Sequence, residues 1–542
     1  MGAHPSPRSP GAGGTPTGVP TAGDPGSGPA GGQSQDGLQA GLKNRHLSMI
    51  AIGGVIGAGL FVGSGAGISA AGPGILLSYA LTGLLVVLVM RMLGEMAAAS
   101  PASGSFSAYA DRALGRWAGF TIGWLYWFFW SVVLAVEATA AGAILTGWVP
   151  AVPQWAWALL VMIVLTGTNL VSVGSFGEFE FWFAGIKVVA IVVFIVVGAL
   201  AIFGLPPGDH AAGMSNLTGH GGFLPHGPGA ILSGMLLVVF SFMGSEIVTL
   251  AAGESPNPVQ AVRKAVNSVI WRIALFYIGS IAVIVTLLPW NDRAVAKSPY
   301  VAVLQSLDIP YAGTVMDVVV LTAVLSCLNS GLYTASRMAF SLGQRGDAPK
   351  SFATVNKGGV PAVAIWASVA FGFIATIFSY TSKDTIFQFL LNSSGAVALF
   401  VWLVICFSQL RMRRTLERET PERLTVRMWL YPWLTYATIG LIVFVVGYMF
   451  YDPDGREQMV LSVVAAVVVL AVGLILDRRR PRERAADESA AKVAERAWRC
   501  TRAGPHRNGA GPPSLRCGAG AVSRGGRPAS RRSAARPSPV RP

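Results

Sequence analysis

The chain is 542 residues long, 52% hydrophobic and only 12% charged, with a mean hydropathy of +0.54. Apolar runs of about 20 residues recur along it, which excludes an ordinary soluble fold and describes an all-α polytopic membrane protein. The net charge of +15 does not point to nucleic acid: from Asp477 onward there are 17 Lys/Arg against 5 Asp/Glu, leaving 24 against 21 in the rest.

Residues 1–41 are rich in Gly, Pro, Ser and Ala without apolar periodicity, so they read as a disordered segment. They contain no hydrophobic core of a cleavable signal peptide, and the first span is expected to direct insertion. Twelve spans are predicted near 47–67, 73–95, 117–147, 155–173, 181–204, 229–252, 270–290, 312–336, 362–380, 385–409, 430–451 and 458–476. The third is long enough to require tilt or a helical extension beyond the bilayer. The domain plan is therefore 1–41 disordered, 42–476 a twelve-span domain, and 477–542 a basic disordered tail.

Loop charge orients the spans. With the N-terminus inside, the inner segments hold Lys43, Arg45, Arg91, Arg112, Arg116, Arg263, Lys264, Arg272, Arg337, Arg345, Lys350, Lys357 and six arginines between 411 and 427. The outer loops hold Arg293, Lys297, Lys383 and Arg456. Eighteen against four is a positive-inside asymmetry that places both termini in the cytoplasm of a cell membrane.

The first span carries Ile52-Gly-Gly-Val-Ile-Gly-Ala-Gly-Leu-Phe-Val-Gly-Ser-Gly-Ala-Gly67. Each glycine costs a helix about 0.5–1 kcal/mol relative to alanine. A span that weakens its own helix in hydrocarbon requires its freed N–H groups to face something polar, unless the glycines serve close helix packing. The sixth span has a second interruption, Phe240-Ser-Phe-Met-Gly-Ser-Glu246, and gives way to Gly253-Glu-Ser-Pro-Asn-Pro258. Broken helices at corresponding positions of two five-helix repeats are the sequence mark of a midplane transport site.

Four ionisable residues are stranded within spans: Glu137, Lys187, Glu246 and Asp317. Such groups cost several kcal/mol unless paired or hydrated, and so flag function. Glu137 is mid-span and too deep to snorkel, and Glu246 sits in a sequence that also bends. Lys187 is about 10 Å past Glu180, taken as the inner edge of its span, a depth from which a lysine can snorkel. Asp317 is expected near the outer surface and solvated. No phosphate-binding loop, HExxH or nucleophile elbow is present, so no enzyme is expected, and transport must draw on an ion gradient. Cys327, Cys406, Cys500 and Cys517 have no metal-like spacing, and no disulfide, metal or cofactor is expected.

Several motifs then carry a family resemblance: Ala71-Gly-Pro-Gly74, Leu93-Gly-Glu-Met96, Pro101-Ala-Ser-Gly-Ser-Phe106, Gly177-Glu-Phe-Glu-Phe-Trp182, Ser326-Cys-Leu-Asn-Ser-Gly-Leu-Tyr-Thr-Ala-Ser-Arg337 and Arg345-Gly-Asp-Ala-Pro349. Over about 41–476 the chain resembles the amino acid permeases of the amino acid–polyamine–organocation superfamily. Arg116-Trp-Ala-Gly-Phe-Thr-Ile-Gly-Trp-Leu-Tyr-Trp127, Asn267-Ser-Val-Ile-Trp-Arg272 and Arg427-Met-Trp-Leu-Tyr-Pro-Trp433 are similar to the bacterial GABA (4-aminobutyrate) permeases among them.

The resemblance implies ten core helices in two inverted five-helix repeats, broken at helices 1 and 6, plus two peripheral helices. It implies that Gly57, Ala58 and Gly59 present N–H groups to the substrate carboxylate, as a half-helix N-terminus does physically. Phe240, Ser241, Phe242, Gly244 and Ser245 of the sixth-span break then face the substrate ammonium or gate it, with Glu246 and Glu137 balancing charge. Lys187 resembles the fifth-span lysine standing where sodium-coupled relatives hold their ion, which implies coupling to H+. Ala58 replaces the Ser or Gly common there, so no hydroxyl contact is expected at that position. The implied function is proton-coupled uptake of GABA. The same machine for proline or an aromatic amino acid, an amino acid exchanger and a non-transporting nutrient sensor are the alternatives. The implied partners are the amino acid, protons and the lipid bilayer.

Overall fold

The computed structural model describes residues 45–479, apart from 47–48, 51–55, 103, 172, 206–213, 252–256, 357, 382 and 452. The expectations for 1–41, for Gly53 and Gly54, and for the tail beyond 479 lie outside the described residues. Among the described residues every regular element is helical, as the apolar run lengths predict.

A wide helical turn at Gly59–Gly63 leads into α1 (Ser64–Ala71), and a Gly72–Gly74 turn leads into α2 (Ile75–Ala99). Then come α3 (Ser105–Leu114), α4 (Arg116–Trp148), α5 (Gln154–Val171), α6 (Val173–Ile202), α7 (Gly229–Phe242) and α8 (Ile247–Ala251). The chain continues through α9 (Pro258–Arg272), α10 (Ser280–Leu287), α11 (Pro299–Ser306), α12 (Ala312–Gln344), α13 (Ala362–Thr381), α14 (Lys383–Glu419), α15 (Trp433–Tyr451) and α16 (Pro453–Arg479).

Nine runs among the described residues are long and apolar enough to cross a membrane, and this is a multi-pass membrane protein. The run Gly59–Ala99 takes in two predicted spans divided by the Gly72–Gly74 turn. That turn requires glycine: Gly72 has φ +61°, and a Cβ there would meet Pro225 at 2.5 Å. Ala362–Ile374 and Ser462–Asp477 are shorter apolar helices at the positions of the ninth and twelfth predicted spans.

Several helices differ from the sequence reading in length, α14 for one running on to Glu419 rather than 409. α6 begins at Val173 rather than 181, so Glu180 lies inside it. α9 begins at Pro258, whose locked φ and missing N–H suit a first turn, and runs on through a wide turn at Ile273–Gly279 into α10. Arg272, counted above among the inner loop charges, therefore sits inside a helix and is buried. α12 continues to Gln344, buried along almost all of its second half.

The centre of the bundle is α4 lying along α12, with α5, α13 and α14 also against α4. Between apolar helices in lipid, close packing and interhelical hydrogen bonds hold the assembly rather than exclusion from water. One buried cluster pins the second span to the later helices. Glu95 on α2 accepts from Gln409 Nε2 at 2.8 Å, from Arg413 Nη1 at 2.5 Å and from the Met428 backbone N–H at 2.6 Å. Arg91, one turn earlier, donates to the Arg427 carbonyl at 2.8 Å and lies over the Trp429 ring. The segment between α14 and α15 is thus tied across the end of α2, as expected for a carboxylate that would be costly to bury alone.

Candidate functional site: two helix breaks at one recess

Both interruptions read from the sequence are breaks in the structure. The α7 helix stops at Phe242, Gly244 takes φ +102°, and α8 resumes only at Ile247. On the first span Gly57 precedes the helical turn, and its carbonyl accepts from the N–H groups of Leu60 and Phe61. The two breaks touch. Ser241 Oγ donates to the Gly59 carbonyl at 2.7 Å. A Cβ on Gly59 would lie 2.9 Å from Phe240 Cδ1 and from Ser241 Cα, and one on Gly57 would lie 2.6–2.7 Å from Cys327 and Glu137. These two glycines therefore permit close approach as well as opening the helix.

Between them is a narrow recess lined by Gly57, Gly59, Glu137, Phe240 and Ser241, together with Phe129, Trp130, Val133, Met243 and Cys327. Glu137 projects from α4, 1% exposed, and both its oxygens lie 3.2 Å from the Ala58 N–H. In this arrangement the Ala58 donor is already satisfied by a protein carboxylate.

Lys187 lies beneath the first-span break. It is fully buried and donates to the Ile56 carbonyl at 2.9 Å and to Ser326 Oγ at 2.7 Å. The snorkelling reading does not hold, because the ammonium is spent on the broken backbone of the first span. Glu180, taken above as an interfacial residue, is equally buried: it accepts from Ser326 Oγ at 2.7 Å and stands 4.0 Å from Lys187 Nζ.

Glu246, Ser245 and Phe242 face a second cluster beside the recess. Glu246 Oε1 accepts from Tyr126 OH at 2.9 Å and from the Gly244 N–H at 3.1 Å. Ser245 Oγ accepts from Arg272 Nη2 at 2.7 Å. Phe242 stacks on Tyr277 with centroids 4.4 Å apart and meets Tyr79 edge-on. Gly244 gives its N–H to this cluster, and a Cβ on it would meet the Trp130 ring at 3.3 Å. Asp317 is only partly covered and far along α12 from these groups, as expected of a solvated residue.

Of the residues singled out in the sequence, Gly57, Gly59, Glu137, Phe240 and Ser241 line the recess, and Ala58 gives its N–H to Glu137. Lys187 and Glu246 hold its two flanks. Phe129, Trp130 and Val133 were missed, being apolar residues in an apolar run with no local mark, whereas Met243 lies within the sixth-span break and Cys327 within the Ser326–Arg337 motif. Glu180 and Arg272 were missed through misplaced helix starts. Pro258 was the available signal for the second. Among the described residues no group of His, Cys, Asp and Glu is placed to hold a metal, and Cys327 and Cys406 are free.

Comparison with known proteins supplies the identity. The family described as amino acid permease matches residues 46–484. The gamma-aminobutyric acid permease of Bacillus subtilis (strain 168) is 54% identical over 454 residues, covering 84% of this chain and 97% of the relative. The gamma-aminobutyric acid permease of Escherichia coli (strain K12) is 51% identical over 442 residues, covering 81% and 95%. The aromatic amino acid transport protein AroP of Corynebacterium glutamicum is 44% identical over 431 residues, covering 79% and 93%. These similarities take in all the helices that form the recess, so the chain belongs to the amino acid permease family and is a transporter rather than an enzyme.

Proposed function

We propose that this transporter carries GABA into the cell together with a proton, by alternating access around the recess between the two breaks. The observation that carries the reading is the meeting of the broken first and sixth spans, joined by the Ser241–Gly59 hydrogen bond, with the buried Lys187 ammonium on the Ile56 carbonyl behind them. The similarity to two proteins named as gamma-aminobutyric acid permeases, at 54% and 51% identity, supports GABA over the other amino acids of the family.

In this reading twelve spans form an inverted five-plus-five core with two peripheral helices, and both termini are cytoplasmic. The N–H groups at Gly57, Ala58 and Gly59 take the substrate carboxylate at the positive end of a half-helix. The stretch Ser241 to Ser245 takes the ammonium, Phe240 closes over it, and Glu246 holds the break in shape through Tyr126. Lys187 carries the coupled proton: charged, it stands in for a bound cation at the broken backbone, and neutral, it releases that backbone to move.

The test is labelled-GABA uptake into vesicles containing the purified protein and no internal substrate, with an imposed inward proton gradient and a panel of unlabelled competitors. Uptake is expected to rise with the gradient and to be displaced best by GABA. Displacement best by an aromatic amino acid or proline refutes the substrate. Uptake that needs internal amino acid identifies an exchanger, and binding without uptake a sensor.

A further inference from the structure

We propose that Glu180 is the residue through which the proton held at Lys187 leaves the site, with the Ser326 hydroxyl as the bridge between them. The inference rests on the reading of Lys187 as the coupled-proton carrier and adds a route and an acceptor to it.

The geometry is a continuous chain of donors and acceptors. Lys187 Nζ donates to Ser326 Oγ at 2.7 Å, and Ser326 Oγ donates to Glu180 Oε1 at 2.7 Å. Nitrogen and carboxylate are 4.0 Å apart, longer than a direct hydrogen bond, so the hydroxyl is the short path. Transfer balances without any co-reactant. One Lys187 N–H bond breaks as that proton joins the Ser326 oxygen, while the original Ser326 proton moves to Glu180. The products are an amine and a carboxylic acid, both neutral, which a buried site accommodates better than separated charges. Water at the inner end of the site then takes the proton from Glu180.

Position along α6 gives the chain a direction. Lys187 is two helical turns from Glu180, and the tilt of Cα–Cβ bonds toward the helix N-terminus carries its side chain back toward Glu180. Two residues earlier, Glu178 is 44% exposed and paired with Arg45, so the same end of the helix reaches water. Exposure thus changes from 44% at Glu178 to none at Glu180 and Lys187. The charged and titratable groups facing Lys187 are Glu180 on its own helix, Glu137 on α4 and Cys327 on α12. Among the described residues those facing Glu180 are Lys187 and the Cys327 thiol of α12, with uncharged Ser326, Asn329 and Ser330 of α12 around the carboxyl. Asn329 is itself held by Asn169 of α5 at 2.7 Å, which fixes the polar wall. A carboxylate serving only as a static counter-ion would gain most from direct contact with the ammonium, whereas here a transferable hydroxyl is interposed.

The experiment uses vesicles of the full chain with an internal pH dye, adding GABA to the unmodified protein, E180Q, E180D, S326A and K187A. Counterflow at equal pH serves as the readout of substrate binding and translocation without net proton movement. The expected result is a drop of about tenfold or more in GABA-dependent acidification for E180Q and S326A, with counterflow kept and acidification restored in E180D. Unmodified acidification in E180Q or S326A, with loss in K187A, overturns the role of Glu180 and leaves the Lys187 reading standing. Unmodified acidification in K187A overturns both. If E180Q fails to reach the membrane, S326A decides alone, since it removes the bridge without removing a charge.

Discussion

Gly59→Ala is the sharpest probe of the meeting between the two breaks. The added methyl would lie 2.9 Å from Ser241 Cα and from Phe240 Cδ1, where ordinary contact begins at 3.4 Å. A ring can turn aside, but a backbone atom cannot, so the breaks must part by about 0.5 Å and stretch the Ser241–Gly59 bond from 2.7 Å. Overpacking of this kind costs about 1–3 kcal/mol. If that cost falls on the closed arrangement the transport cycle passes through, GABA uptake falls roughly 5- to 150-fold. Two controls isolate the site from general packing. Gly440 and Gly447 have open space at the added Cβ, and their alanine variants are expected to transport normally. A Cβ on Gly65 would lie 2.5–2.6 Å from the carbonyl oxygens of Ala296 and Val295, and the alanine variant is expected to lower thermal stability without a substrate-specific defect. Initial rates across a range of GABA concentration, alongside thermal unfolding in detergent, separate these outcomes. Unmodified uptake by Gly59→Ala would refute the claim that the close approach of the breaks matters to transport.

Three further perturbations act on other parts of the same frame. Cys327 lines the recess whereas Cys406 is buried elsewhere, so a small thiol reagent is expected to inhibit uptake, with GABA protecting and Cys327→Ala insensitive; inhibition persisting in that variant places the reactive thiol elsewhere. Arg272→Ala removes the 2.7 Å donor to Ser245 and leaves the buried Glu246 cluster short of a cation, a change of the kind that costs about 3–5 kcal/mol; lowered thermal stability and uptake are expected, and an unaltered melting curve counts against it. Asp347, in the turn after α12, has its carboxyl pushed above the usual aspartate range by burial, with Arg116 and Arg345 opposing the shift. A carboxyl raised in the folded state contributes stability that is present below its unfolded value, about 3.9, and lost as pH rises through the folded one. Asp347→Asn should therefore flatten the stability curve of the detergent-solubilised protein over that acidic window, and an unchanged slope there refutes the assignment.

How far the sequence carries this picture depends on whether a residue declares itself locally. Gly57, Gly59 and Gly244 do, because glycine in a membrane helix is a penalty that needs a reason, and each falls at a break or a close approach. Glu137, Lys187 and Glu246 do as well, since a charge in an apolar run is conspicuous whatever it touches. Phe129, Trp130 and Val133 do not: nothing in their own neighbourhood distinguishes a side chain lining the recess from one facing lipid. Glu180 and Arg272 fail for a different reason. Hydropathy finds where an apolar run begins, but α6 and α9 start several residues earlier, and the charges on the added helix, Glu180 within α6 and Arg272 at the end of α9, meet Ser326 and Ser245 from other parts of the chain. Helix starts and pairings across more than 20 residues are tertiary facts.

The Glu137 carboxylate bears most directly on how coupling could begin. It occupies the Ala58 N–H that the family resemblance reserves for the substrate's own carboxylate, and it sits among groups that also face Lys187. One donor cannot serve two anionic groups in a buried recess, where their repulsion is weakly screened. An arriving carboxylate must therefore displace Glu137 or meet it protonated, and either event alters the charge beside Lys187. In the proposed mechanism, substrate arrival and the proton on Lys187 are coupled through a single side chain on α4, without any long-range rearrangement. The Ile56 carbonyl links the same lysine to the first-span break, so the groups proposed to sense substrate and those proposed to hold the proton share a few residues of backbone. In this reading the glycines between Gly57 and Gly63 let that backbone answer to both.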